Sequence, residues 1–259
     1  MTVPITDPIA ANPPRVAATV LLLRDDPFEV LMVRRRRGGT FSNALVFPGG
    51  VIEDADRDQS WLELATGAAG LDVDDRAIRI GALRETFEEA ALLVARTPDG
   101  RPAPAGPPDD GTPFDELVRR RGVLLALEEL HPFGHWITPA VETRRFDTHF
   151  LLCRAPQGQL PRQDDGETVA FEWIAPGHAA EHADERSIIF PTLMNLRRLA
   201  ESDTVASALE AAEARAPFTV EPVIHRDGDH HVITIPAEAG YGVTEILAPA
   251  RSMGSAAPS

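Results

Sequence analysis

Phe47-Pro48-Gly49-Gly50-Val51 and Arg84-Glu85-Thr86-Phe87-Glu88-Glu89 decide how this chain reads. On a helix, Glu85, Glu88 and Glu89 fall at i, i+3 and i+4, which is one face. Three carboxylates on one face repel each other, so the pattern stabilises no isolated helix and calls for positive charge among them. A hard divalent cation suits carboxylate oxygens. The Pro-Gly-Gly turn offers bare backbone, open to close approach. A carboxylate-bound metal beside such a turn suits phosphate chemistry. A lone Arg-Glu-x-x-Glu-Glu would more simply be a solvated charged face. The glycine turn upstream and the strand-rich flanks favour a site.

The chain has 259 residues, enough for one large domain or a domain with additions. Its 43% hydrophobic content suffices for a packed core. A net charge of −15 argues against a nucleic-acid-binding surface. It does not exclude an anionic substrate, because a metal and a local basic patch override the global field. The single cysteine, Cys153, rules out an internal disulfide and fits a reducing compartment. It follows Phe150-Leu151-Leu152 and reads as a buried strand thiol. Met1 to Pro14 lacks a leader pattern, and no apolar run approaches membrane-spanning length. The expectation is a cytoplasmic protein with no membrane and no nucleic-acid partner.

Arg15 to Leu23 and Glu29 to Arg34 read as a hairpin around Asp25-Asp26-Pro27, and Ala44 to Phe47 as a short strand. A short helix is expected at Trp61 to Ala65. Asp74 or Asp75 is expected to cap the next helix, which runs to about Ala95 with Leu83, Phe87, Ala90, Ala91 and Val94 as its apolar stripe. Pro98 to Pro113 is Pro/Gly-rich and reads as a loop, and Phe114 to Leu130 as a helix. Strands follow at His135–Thr138, Phe146–Cys153 and Val169–Ile174. Helices are expected at Pro176–Glu185, Pro191–Glu201 and Val205–Ala214. Phe218–His225 and Val232–Pro236 flank a turn at Arg226-Asp227-Gly228-Asp229. His225, His230 and His231 beside it match no strong zinc spacing and read as a solvated turn. Mixed strands with helices on both sides suggest an α/β/α sandwich.

The two opening stretches resemble the Nudix box, G-x5-E-x7-R-E-U-x-E-E-x-G-U, with U bulky and aliphatic or Thr. Gly50 opens it, Asp56 stands at the first Glu, and Arg84, Glu85, Thr86, Glu88 and Glu89 fall on its core. Ala91 and Leu92 take the closing G-U. Arg57 to Leu83 holds 27 residues in place of 7, an insertion of 20. Further on, Trp136-Ile137-Thr138-Pro139, Arg144 to Thr148, Glu167, Trp173, Leu196 to Ala200, the hairpin ending Ile235-Pro236 and Tyr241 are similar to the peroxisomal-type Nudix coenzyme A diphosphatases. That subgroup also carries an insertion inside the box.

The resemblance implies a Nudix-type α/β/α sandwich with a mixed sheet, plus C-terminal helices and a hairpin. It divides the chain into a flexible N-terminus (1–14) and a hydrolase domain (15–201) with an insertion at 57–76 and a loop at 98–113. A packed extension (202–247) and a flexible tail (248–259) follow. It implies a metal-dependent diphosphatase holding Mg²⁺ or Mn²⁺ through Glu85, Glu88, Glu89 and the Gly49 carbonyl. Glu167 would complete the metal site or act as base, although an acidic surface turn is an equal reading. Arg84 and Gly50 would support the site. Arg34, within Arg34 to Arg37, and Arg145 are the candidates for substrate phosphates. Coenzyme A or acyl-coenzyme A is the expected substrate, with NADH or ADP-ribose as the alternative nucleoside diphosphate derivatives. A catalytically silent nucleotide-binding domain is the alternative of another class; intact Glu85, Glu88 and Glu89 weigh against it. A homodimer is an assembly the sequence leaves open.

Overall fold

The computed structural model of the protein describes residues 3–4, 13–35, 44–104, 106, 111–162, 168–227 and 230–249. The chain enters through β1 (Val3–Pro4), β2 (Arg15–Arg24), β3 (Glu29–Arg35), β4 (Leu45–Val46) and β5 (Gly49–Val51). An excursion follows, with α1 (Trp61–Leu64) and β6 (Ala65–Thr66), before the long α2 (Val73–Ala90). Next come β7 (Ala95–Arg96), α3 (Phe114–Arg121), β8 (Leu124–Ala126), β9 (His131–Ile137), β10 (Phe146–Arg154) and β11 (Thr168–Ile174). The remainder is α4 (Pro176–Glu181), α5 (Phe190–Leu199), α6 (Val205–Glu213), β12 (Thr219–Val220), β13 (Val223–Asp227), β14 (His230–Thr234) and β15 (Glu245–Pro249).

β2 is the centre of the fold. Its run from Ala17 to Leu23 is buried throughout, as befits a strand covered on both faces. Alternation divides the run: Ala18, Val20 and Leu22 join the core under α2, while Leu21 and Leu23 join the core under α5 and α6. Among the described residues the main sheet has eight strands in the path β11-β3-β2-β10-β9-β12, with β4 on β3 and β5 on β2. β10 runs parallel to β2 and β12 parallel to β9; the other pairs are antiparallel. With α1, α2 and α3 on one face and α4, α5 and α6 on the other, this is the expected α/β/α sandwich.

Several expectations need correction. α2 is capped by Asp72, whose Oδ1 accepts from the Asp75 N–H, and it ends at Ala90. Ala91 turns left-handed (φ 56°) and donates to the Phe87 carbonyl at 2.8 Å, so the chain leaves the helix where the family pattern has Gly. The helix at Phe114 stops at Arg121 because Gly122, also left-handed, closes it. The apolar run after Gly122 then pairs as β8 between β6 and β7. Val3–Pro4 pairs with β13, and β15 runs to Pro249 against β14, so a four-stranded sheet stands where a hairpin was expected. The turn at Gly228-Asp229 lies outside the described residues.

The C-terminal part is tied to the sandwich by a buried polar chain. Trp136 Nε1 donates to the Tyr241 hydroxyl at 3.0 Å, which donates to Asn195 Oδ1 at 3.2 Å. Asn195 Nδ2 in turn donates to the Pro191 carbonyl at 2.9 Å. The Arg198 guanidinium lies 3.6 Å from the centre of the Tyr241 ring and donates to the Phe133 and Ala239 carbonyls. Tyr241→Phe keeps the ring but strands the Trp136 N–H and the Asn195 oxygen. It should cost about 1–3 kcal/mol in urea unfolding. An unchanged midpoint would show that this chain does not hold the extension in place.

Candidate active site

The glycine turn is pinned to β2 before it meets the helix. Thr19 Oγ1 and the Val20 N–H both donate to the Pro48 carbonyl, at 2.7 and 2.9 Å. Gly49 and Gly50 then pair with Thr19 and Ala18. Gly49 has φ 152°, and a Cβ there would strike the Ala18 carbonyl, so no other residue fits. A Cβ on Gly50 would strike the Glu85 carboxylate. The Gly49 N–H donates to Glu89 Oε2 at 2.9 Å. Thus the turn and α2 meet despite the long intervening segment.

The reason is visible between Asp56 and Arg84. Residues 73–83 lengthen α2 toward its N-terminus, and the rest is an excursion anchored by Trp61. Trp61 Nε1 donates to the Ala55 carbonyl at 2.9 Å, and its ring lies 5.8 Å from Phe114, which lies 5.8 Å from Phe87 of α2.

Arg84 is the hub. Its side chain is 7% exposed. Nε and Nη2 grip Asp56 at 3.0 and 3.1 Å, a bidentate fork. Nη1 donates to Glu85 Oε1 and Glu88 Oε2, both at 3.0 Å, and Nη2 also donates to the Val51 carbonyl at 3.0 Å. Burial works against the charge, but Asp56 first, then Glu85 and Glu88, overrides it and holds the guanidinium protonated more firmly than usual. Burial pushes the Glu88 carboxyl up from its ordinary range; Arg84 pulls it down and Glu85 pushes it up again.

Asp56 is 1% exposed and also accepts the Glu53 N–H at 2.8 Å. Gly81 makes room for it, since a Cβ there would lie 2.7 Å from Asp56 Oδ2 and 2.6 Å from Ile52 Cδ1. Gly81 and Thr19 are contributions that motif reading missed. The signal for Gly81 was a glycine in the interior of an otherwise strong helix, which usually marks close approach.

The expected residues are placed unevenly. Glu85, Glu88, Glu89, Gly49, Gly50 and Arg84 come together. Their carboxylates do not close on one centre: Glu85 and Glu88 turn to Arg84, and Glu89 to the Gly49 N–H. Arg34 sits on β3 opposite Leu45, four positions before Gly49. Arg145 Nε donates to the Thr138 carbonyl at 3.0 Å and its Nη2 to Glu221 at 2.8 Å, so one edge of its guanidinium braces the chain after β9 and after β12. Glu167, Arg36 and Arg37 lie outside the described residues. Cys153 is fully buried, and burial pushes its thiol pKa upward, as expected of a strand thiol.

As a donor set, three carboxylates beside a bare glycine turn fit a hard divalent ion. Glu88 is only partly neutralised by Arg84, so the cluster retains negative charge for such an ion to meet. The hub itself is testable in the metal-free protein. Asp56→Ala leaves the guanidinium buried and half-partnered, and should cost about 3–5 kcal/mol by chemical denaturation. A loss under 1 kcal/mol would mean that Glu85 and Glu88 alone satisfy Arg84.

The comparisons with known proteins agree with this geometry. The sequence model of the NUDT19 Nudix domain matches residues 71–199. The acyl-coenzyme A diphosphatase NUDT19 of Gallus gallus is 30% identical over 288 residues, covering 80% of this chain and 75% of that protein. Its Homo sapiens counterpart is 28% identical over 292 residues, covering 90% and 75%. Among solved structures, a NUDIX hydrolase from Alicyclobacillus acidocaldarius superposes with a TM-score of 0.69 at 28% identity, over 78% of this chain and 97% of that one. With a glycine turn, a carboxylate helix and an arginine hub in place, and relatives similar along most of its length, this chain belongs to the Nudix hydrolase family, of the NUDT19 type.

Proposed function

We propose that this protein hydrolyses the diphosphate of coenzyme A or an acyl-coenzyme A. The products would be adenosine 3′,5′-bisphosphate and (acyl-)4′-phosphopantetheine. The reaction class rests on one observation above the others: Arg84 and the Gly49 N–H hold Glu85, Glu88 and Glu89 against a turn with no side chains. The substrate class is supported by the relatives, both named acyl-coenzyme A diphosphatase.

In this reading Glu85, Glu88 and Glu89, with the Gly49 carbonyl, hold Mg²⁺ or Mn²⁺. When bound, the ions would neutralise the diphosphate and acidify the attacking water. The chain's own residues do the rest. Arg84 fixes two carboxylates by charge-assisted bonds, and Gly49 orients the third. The bare turn lets the diphosphate approach the backbone. Water adds its oxygen to one phosphorus, the bridging P–O bond breaks, and a carboxylate takes the water proton. Glu85 or Glu167 fills that last role. Arg34, at the end of β3, and Arg145 are the candidates for the 3′-phosphate. No described helix is long and apolar enough to cross a membrane.

Two measurements check this. Turnover on coenzyme A should exceed that on its 3′-dephospho form, NADH or ADP-ribose, and Glu89→Gln should lower it at least ~100-fold, the scale of losing electrostatic transition-state stabilisation. A clear preference for NADH would overturn the coenzyme A reading; a fully active Glu89→Gln would overturn the site. The second concerns pH. The Glu88 carboxyl titrates higher in the folded chain than in the unfolded one. In that window the folded state binds more protons, so Glu88's contribution to the stability of the metal-free protein declines as pH rises through it. An ion that replaces the proton should reverse this. The rise in Tm on adding Mg²⁺ or Mn²⁺ is therefore expected to be larger at pH 8 than at pH 5, and an equal rise at both would contradict ligation by Glu88.

A further inference from the structure

A second cluster of ligating side chains lies away from the glutamates. His135 on β9 and His149 on β10 are directly opposed in the ladder, and Asp147 is two residues before His149 on the same face. The two imidazoles stack with centroids 4.1 Å apart. Asp147 Oδ1 contacts His135 Nε2 and lies 3.8 Å from His149 Nε2, within ion-pair range but beyond hydrogen-bond reach. All three ligand atoms lie within 4.8 Å of one another.

We propose that His135, Asp147 and His149 form a binding site for one divalent transition-metal ion of the zinc class. Three features favour an ion over a simple His–Asp pair. The donor set is two imidazoles and one carboxylate, which suits zinc-class ions and not magnesium or calcium. Thr219 Oγ1 on β12 sits 2.7 Å from His135 Nδ1, an outer partner that can accept an Nδ1–H and so leave the Nε2 lone pair for an ion. A cavity of about 210 Å³ opens beside the two rings, lined also by Asp75, Ile78, Arg79 and Pro217, and leaves a coordination position for water or an exogenous ligand. Arg79 donates to the Leu127 and Leu130 carbonyls, while Asp75 adds negative charge to the cavity wall.

The site is separate from the Nudix cluster. It sits on the sheet beneath the first turns of α2, whereas Glu85 to Glu89 occupy its last turns. It does not depend on the coenzyme A reading. A resident ion would tie β9 to β10 and present a Lewis-acidic position to the cavity beside the start of α2.

Co²⁺ is the probe, because a four-coordinate nitrogen–oxygen site gives strong visible absorption and an octahedral carboxylate site gives little. Metal-stripped full-length protein titrated with Co²⁺ should develop this absorption at one equivalent, and Zn²⁺ but not Mg²⁺ should quench it. His135→Gln and His149→Gln should abolish it, with folding checked by circular dichroism. Thr219→Val, which leaves all three ligands in place, should weaken Co²⁺ binding at least ~10-fold. Glu88→Gln and Glu89→Gln should leave the absorption intact. Absence of the signal in the wild type, its survival in His149→Gln, or its loss in the glutamate variants would each overturn the assignment.

Discussion

One buried positive charge organises this molecule. Arg84 has three carboxylate partners from two segments far apart in sequence, and its side chain is almost wholly removed from water. An unpaired guanidinium in that position would be prohibitively costly, so its partners must be delivered with good geometry. The conditions around it follow from that demand. Asp56 must reach the helix, so Gly81 carries no side chain. Glu85 must lie flat on the turn, so Gly50 carries none either. Glu88, sharing Nη1 with Glu85, is left only partly neutralised. The same geometry that satisfies Arg84 leaves an excess of negative charge facing the turn, and there an ion is chemically at home.

Much of this was legible from residues alone, because the helical spacing of Glu85, Glu88 and Glu89 and the Pro-Gly-Gly turn are local signals. The antiparallel pairing of β2 with β3 was similarly legible in two apolar runs around Asp25-Asp26-Pro27. What escaped reading was either a backbone conformation its residue does not signal or a contact remote in sequence. The end of α2 is set by a left-handed Ala91, a conformation that alanine does not advertise. The stretch after Gly122 is apolar enough for helix or strand, and β6 and β7 decide for strand by pairing with it. The contacts of Arg145 with Thr138 and Glu221 join parts of the chain that sequence alone does not bring together. His135, Asp147 and His149 show no ligand spacing because a strand ladder, not a loop or helix, assembles them.

The two ends of α2 therefore answer to different surroundings. Its last turns face the glycine turn and carry the carboxylates, while its first turns lie over β9 and β10 beside the histidine cluster. Eighteen residues of helix make a stiff bar about 27 Å long. It packs against β2 and β5 of the main sheet.

The excursion between Asp56 and α2 bears on how such enzymes diversify. Its two ends are fixed, one by the fork from Asp56 to Arg84 and the other by the Asp72 cap, so what lies between is free to vary in length without moving the reactive groups. Closing a longer loop adds only about 0.6 kcal/mol per doubling. A lineage can lengthen this segment, add a strand to a side sheet or reshape a neighbouring wall while the chemistry stays still. A search pattern with a fixed gap counts residues along the chain, but the site is sensitive only to distance in space. Family members that have grown here would thus be lost to such a pattern long before they were lost to catalysis.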